Sequence, residues 1–400
     1  MKHISLLLLP LGIAQAGTVG RRAPQHDHSG PAPPKLPGQS PFAGIVGQLD
    51  LKGSGGDATA ALIKVLPKAH FAVSEPLKPQ VRQGAKRHIA KFGPYTLTGK
   101  GQPKPKKLIN SLDPNGQAFI ELTSDGMCSN CTILAGKPGL LFEDGSPAGP
   151  AQGVYIHHIL SHDISKKALK PVAKCVGSTN TTQTNLLDLL GAELFSQGDD
   201  NSTPFYFTSE DGAYPSGFFV GSNDSFALQA DLVNYNADTR KVYVTFDIEY
   251  VDGHVGSDAV STLLSVGGCG GIGGGNAIAL NQTGPAETTG RKIPILVDGK
   301  IISAKGHMHI GGERMILLIN DKEVCVSAPI YTKANGFESI AGMPSCPEAI
   351  PVKKGDTLTM KSVYDLAKHP LRSGAEHNAM GNADVMGMFI LTWAVDGERK

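Results

Sequence analysis

The sequence predicts an all-β protein, two tandem antiparallel β-sandwich domains preceded by an N-terminal extension, and three observations lead there. A chain of 400 residues exceeds what one hydrophobic core usually organises. Its 40% apolar content supplies material for two cores. Beyond residue 107 short runs alternate apolar and polar positions with turn residues between them, and helical periodicity is nearly absent. The run KVYVTFDIEYV, residues 241 to 251, puts Val242, Val244, Phe246, Ile248 and Tyr250 on one side, the period of a half-buried strand. QAFIELT, GFFVG, SFALQADLV, KIISAKGHMHI, RMILLI, EVCVSA, DTLTMKSVY and VMGMFILTWAV are further strand candidates.

Taken in order, residues 1–16 (MKHISLLLLPLGIAQA) read as a signal peptide. They have a basic start, an apolar run too short to span a bilayer, and Ala14-Gln15-Ala16 as a small-x-small cleavage site. A secreted, extracellular protein is expected. Residues 17–40 are a propeptide and Pro-rich linker, with the dibasic Arg21-Arg22 as a processing site. Cutting after Arg22 removes Lys2, Arg21 and Arg22 and moves the formal net charge from +1 to −2. Such a surface has no electrostatic reason to bind nucleic acid or an anionic membrane, and no other segment reads as a transmembrane helix. A monomer is expected.

Residues 41–106 form the N-terminal extension, in which DATAALIKVLP and KPQVRQGAKRHIAKF read as short helices and to which the sequence assigns no role. The first sandwich is expected over 107–265 and the second over 276–396, joined by a Gly-rich linker at 266–275. Gly268, Gly270 and Gly273 in that linker have the spacing of a dinucleotide-binding loop, but the βαβ context such a loop requires is missing.

Six cysteines in an exported chain favour disulfides. Cys325 and Cys346 lie close in one predicted sheet region and are expected to pair. Cys128, Cys131, Cys175 and Cys269 are disulfide halves of open pairing; the Cys128-x-x-Cys131 spacing also fits half of a zinc or redox motif. Five Asn-x-Ser/Thr sequons, at Asn130, Asn180, Asn201, Asn223 and Asn281, fit a secreted glycoprotein.

Thirteen histidines in this length make about 0.4 chance HH pairs, so context must decide which histidines matter. In KIISAKGHMHIGG a strand period of two puts His307 and His309 on one face, about 7 Å apart at Cα and suited to one metal. The last strand carries Met386, a soft thioether; a His₂Met set selects copper, because zinc, calcium and magnesium have little use for Met. GVYIHHILSHD adds His157, His158 and His162. On a helix His158 and His162 would share a face; in a strand they are about 13 Å apart, too far for one metal without a turn at Ser161.

YIHHILSH, LQAD, KGHMHIGG, VKKGDTLTMKSVYD and EHNAMGNADVMGMFIL occur in the order and approximate spacing of the copper type II, ascorbate-dependent monooxygenases. The chain resembles that family, the peptidylglycine α-hydroxylating and dopamine β-monooxygenase type, over about residues 115 to 395. It is also similar to the stress-upregulated nodulin proteins of plants, particularly in EDGSPAGPAQGVYIHH. The resemblance implies two jelly-roll sandwiches, each holding one copper across a solvent-filled cleft. It makes His307, His309 and Met386 the ligands of the catalytic copper, with His377 in support. It makes His157 and His158 ligands of an electron-donating copper whose third ligand in the family is a histidine of a Leu-Gln-x-His strand. Here that position is Asp231: a carboxylate replaces the imidazole, or the site is altered or empty, with His162 as a substitute ligand. Where the peptide-hydroxylating members anchor a substrate carboxylate with Arg and Tyr, this chain has Lys305 and Ile390, so a C-terminal-glycine peptide is a poor fit.

The expected function is a secreted copper-dependent monooxygenase. It would hydroxylate a C–H bond of a small or peptide substrate, using one or two copper ions, O2 and an external reductant such as ascorbate. The alternative is a non-catalytic extracellular copper-binding protein of the same descent.

Overall fold

A computed structural model describes residues 66–105, 111, 115–166, 172–173, 191–198, 203–209, 212–267, 277–280, 283–334, 337–346, 348–371 and 383–395. The signal peptide, the propeptide, most of the Gly-rich linker, Cys175, Cys269, Asn180, Asn201, Asn281 and His377 lie outside those residues. The described chain is all-β; its one helical element is the 3₁₀ turn Pro150–Gln152.

Two apolar cores organise the strands, and one long sheet serves both. In the first sandwich, Gly116–Thr123, Phe226–Asn234, Val154–Asp163 and Ala192–Gln197 form a four-stranded sheet in that spatial order. The core it covers holds Phe92, Phe195, Phe207, Phe218 and Phe246, with Phe195 stacked on Phe246 at 5.3 Å between ring centroids. The other wall of this core is Lys86–Leu97, Arg240–Asp252, Cys131–Phe142 and Ser216–Val220, half of an eleven-stranded sheet. The long sheet crosses into the second sandwich through a short parallel pairing, Ser257 with Ser216 and Asp258 with Gly217. It continues through Ser257–Ser265, Ala383–Val395, Gly299–Met308 and Ile350–Val352. The second core is closed by Ala286–Thr289, Thr357–Tyr364, Gly312–Ile319 and Lys322–Ser327.

Strand Ala383–Val395 shows how a period of two divides the molecule. Phe389, Leu391 and Trp393 enter the second core, while Ile390 on the opposite face enters the first. The second sandwich thus presents one face of its own sheet to the first.

The segment KPQVRQGAKRHIAKF is not helical. Lys86–Leu97 is a strand whose buried positions His88, Ala90 and Phe92 alternate, paired along Arg240–Asp252. It belongs to the first sandwich sheet, so part of the N-terminal extension is built into that core. The Glu249 carboxylate accepts the backbone N–H groups of Gln80, Val81 and Arg82 and pins the preceding segment. Charge-assisted hydrogen bonds of this kind outweigh helix propensity in a short segment.

Cys325 is bonded to Cys346. Cys128 is bonded to Cys131, so the two close a tight turn with each other instead of serving as halves of separate bridges. Asn130, inside that turn in the left-handed region at φ 46°, and Asn223 are both exposed.

Candidate metal centre

Adjacent residues of a regular strand face opposite ways, so an HH pair should not share a target. Strand Val154–Asp163 resolves this with a bulge. Ile156 pairs with Leu232 but His158 pairs with Asp231, leaving His157 as the extra residue. A bulge re-aims one side chain, and the imidazoles of His157 and His158 lie 4.4 Å apart between centroids.

The HxH pair needs no such device. In Gly299–Met308, Ala304 and Met308 enter the second core, while Lys305 and His307 occupy the alternate positions facing the first sandwich. His309 follows immediately, 5.6 Å from His307 between centroids.

The two pairs meet. His158 is 6.0 Å from His307 and His157 is 6.3 Å from His309, which closes a ring of four imidazoles. His157, His158 and His309 each offer one ring nitrogen, all within 4.8 Å of one another. The resemblance implied pairs held apart by a cleft; here the shared long sheet and the contacts below bring them together.

Four contacts set the approach of one pair to the other. Gly198, directly after strand Ala192–Gln197, lies flat against His307: a Cβ on Gly198 would fall 2.2 Å from the ring carbon Cε1. Lys305, only 1% exposed, donates from Nζ to Oε1 of Gln197 and to the Thr203 carbonyl, both at 3.3 Å. Its ammonium also sits 4.5 Å from the centre of the Phe205 ring, a cation–π contact. The residue in the substrate-anchor position is therefore buried as a tether between the sandwiches.

Asp231, fully buried, places Oδ2 3.0 Å from Nδ1 of His157. A carboxylate in that position holds the Nδ1–H tautomer and turns Nε2 outward as a ligand lone pair. It is seated to support His157, and it is not among the three residues whose ligand atoms converge. Burial, then the neighbouring His157, His307 and His309, holds the His158 pKa well below the ordinary histidine value, so the ring is neutral and its lone pair available.

His162 does not join the ring. It sits in the same extended strand, paired with Ala227, 1% exposed, with no hydrogen-bond partner at Nε2, and burial lowers its pKa to about 4. The chain does not turn at Ser161, so the strand carries it away from His158.

Met386 is placed by register. His307 pairs with Met388 and Met308 with Gly387. The next rung would set His309 against Met386, on the sheet face that carries His307. Neither Gly198 nor Tyr364, which bonds to both strands at that rung, was identified as a site residue in the sequence. Tyr364 left a signal: in DTLTMKSVY it continues the core-facing positions Leu358, Met360 and Ser362, and a hydroxyl at a core position demands a partner.

Three converging imidazole nitrogens, one ring oriented by a carboxylate and another held neutral, fit a late first-row metal such as copper or zinc. The nearby thioether position favours copper. No family model matches the chain. It is 23% identical over 304 residues to a Phoma sp. protein named "Probable copper-dependent oxygenase M1", covering 72% of this chain and 68% of that one. It is 24% identical over 240 residues to the Cochliobolus lunatus protein named "Probable copper-dependent oxygenase clz3", covering 58% of this chain and 70% of the relative.

Proposed function

We propose that the protein is a secreted copper-dependent monooxygenase whose copper is held between its two sandwiches. The observation that carries the reading is the convergence of His157, His158 and His309 to within 4.8 Å of one another. His307 completes the ring of imidazoles, and Met386 supplies a soft ligand from the rung beside His309. When bound, copper supplies the activation of O2 and the electron transfer needed to place one oxygen atom into a C–H bond, with ascorbate or a similar molecule as reductant.

The chain's own part is preorganisation. Asp231 fixes which nitrogen of His157 faces the centre, and burial keeps His158 deprotonated. Gly198 admits His307 to close approach, and Lys305 ties its strand to Gln197. Because Lys305 is engaged by the protein, a substrate anchored by a carboxylate at that residue is disfavoured. Convergence supports one ion shared by the sandwiches; a measured stoichiometry of two would assign the HH and HxH pairs an ion each. Residues 1–16 and the exposed sequons Asn130 and Asn223 support export and glycosylation.

One observation favours a second reading, a non-catalytic copper binder: at the third ligand position of the electron-donating site stands Asp231, hydrogen-bonded to His157. Copper stoichiometry of the purified full chain, beside His309→Ala and Met386→Ile, tests both readings. Tight binding that both substitutions weaken is expected. Binding indifferent to them, or no copper at all, defeats the site. Ascorbate-driven oxygen uptake coupled to product then selects the enzyme, and full loading without coupled product selects the binder.

A further inference from the structure

The ladder between Gly299–Met308 and Ala383–Val395 ends at Met308 and Gly387, one rung short of His309 and Met386. Two candidate ligands thus sit where backbone pairing between their strands stops. A single side chain spans the gap. The Tyr364 hydroxyl accepts the His309 N–H at 3.0 Å and donates to the Met386 carbonyl. It reaches there through the second core from strand Thr357–Tyr364, 1% exposed, with Met360, Phe389 and Trp393 in the same apolar cluster.

A phenol has one proton to donate and lone pairs to accept, so it can replace the missing rung: it bonds to one donor and one acceptor that a sheet would have paired. The turn beyond is held in the same manner. Tyr331 Oη accepts the Gly311 N–H at 3.1 Å and donates to the Gly312 carbonyl at 2.9 Å. The Tyr331 ring stacks on His369 at 3.7 Å, and Glu313 and Glu338 lie beside the two His369 ring nitrogens. Gly311, at φ +99°, makes that turn without side-chain strain.

We propose that Tyr364 is a positioning residue of the metal centre, clamping the backbone of His309 to that of Met386 so that imidazole and thioether are presented at a fixed separation. The proposal rests on the copper reading above and adds to it a residue that touches neither metal nor substrate. Tyr331 restrains the far side of the same turn and leaves Met386 alone.

The test uses the full chain with Tyr364→Phe, which keeps the ring in the core, and Tyr331→Phe for comparison. In metal-free wild-type protein the His309 amide should exchange with solvent as slowly as amides inside the ladder, such as that of Leu391; rapid exchange overturns the clamp without reference to copper. In Tyr364→Phe that exchange should quicken at least about tenfold, and Cu(I) affinity, measured against a competing chelator, should fall about 10- to 100-fold. The sulfur contribution to the copper X-ray absorption spectrum should disappear while nitrogen scattering persists. Tyr331→Phe should retain the sulfur contribution. Wild-type affinity and an intact copper–sulfur signal in Tyr364→Phe overturn the positioning role, as does equal loss of sulfur in Tyr331→Phe. A wild-type protein that binds no copper, or binds it without sulfur, instead defeats the copper–methionine reading and with it the clamp's purpose, while the exchange result still reports whether the clamp exists.

Discussion

The HH strand of the first sandwich and the HxH strand of the second bring two imidazoles each to one place by opposite means. From Ser303 onward Gly299–Met308 keeps the regular alternation of a strand, so its His307 position was legible from spacing alone. Val154–Asp163 has to break that alternation, with a bulge that makes His157 the extra residue of the ladder and a buried carboxylate to hold the displaced ring. Beside the HxH motif, Lys305 reaches the opposite sandwich. A two-residue motif therefore specifies ligand geometry only together with its backbone: period two aims HxH, and an irregularity must aim HH.

Breaking the approach of the two pairs should have the largest effect. Gly198→Val puts a side chain where the His307 ring lies and is expected to lower copper affinity at least about a hundredfold, read by chelator competition. Both sandwiches should remain folded by circular dichroism. Retained affinity would mean that His307 contributes nothing to the centre.

The HH strand can next be probed through its third histidine. The folded pKa of His162 is about 4 against 6.5 for the free side chain, so between those values the unfolded chain takes up a proton that the folded chain refuses. Stability should fall as pH drops through that window, by about 3 kcal/mol in full, and level off below it. His162→Leu should remove this contribution. The difference between the two urea-midpoint profiles isolates it from adjacent Asp163, whose pKa burial raises to about 6 and which acts in the opposite sense.

Asp231→Asn tests the carboxylate beside the His157 ring. An amide cannot hold the His157 tautomer as a carboxylate does, and a 10- to 100-fold loss of copper affinity is expected with little change in thermal midpoint. An unchanged affinity would remove Asp231 from the centre. The smallest effect should come from Lys305→Met, which leaves Gln197 and the Thr203 carbonyl without that donor; about 1 kcal/mol of destabilisation in denaturant unfolding is expected.

Several features were legible without coordinates because they are local. The alternation of Val242, Val244, Phe246 and Ile248 marks a strand, and those four residues are buried in the first core. Cys325 and Cys346 are near neighbours in sequence and are joined. KPQVRQGAKRHIAKF misled for a converse reason: its Lys, Arg and Ala content favours helix in isolation, while pairing with Arg240–Asp252 and the Arg87–Asp247 ion pair are made at long range. Lys305 stands where the resemblance places a substrate anchor, and its hydrogen bonds to Gln197 and the Thr203 carbonyl are visible only in the fold.

By itself, then, the sequence determined the class of elements such as Arg240–Asp252 that a clear two-residue period marks, and the residue types able to hold a soft metal. Only the tertiary structure decided that the HH and HxH pairs form one ring, that Asp231 bonds to His157, and that Tyr364 bonds to both His309 and Met386. Alternation encodes which way a side chain points within its own strand. Which strands meet, and at what register, depends on bulges, on glycines that permit close approach, and on buried hydrogen bonds between residues as far apart as Gln197 and Lys305.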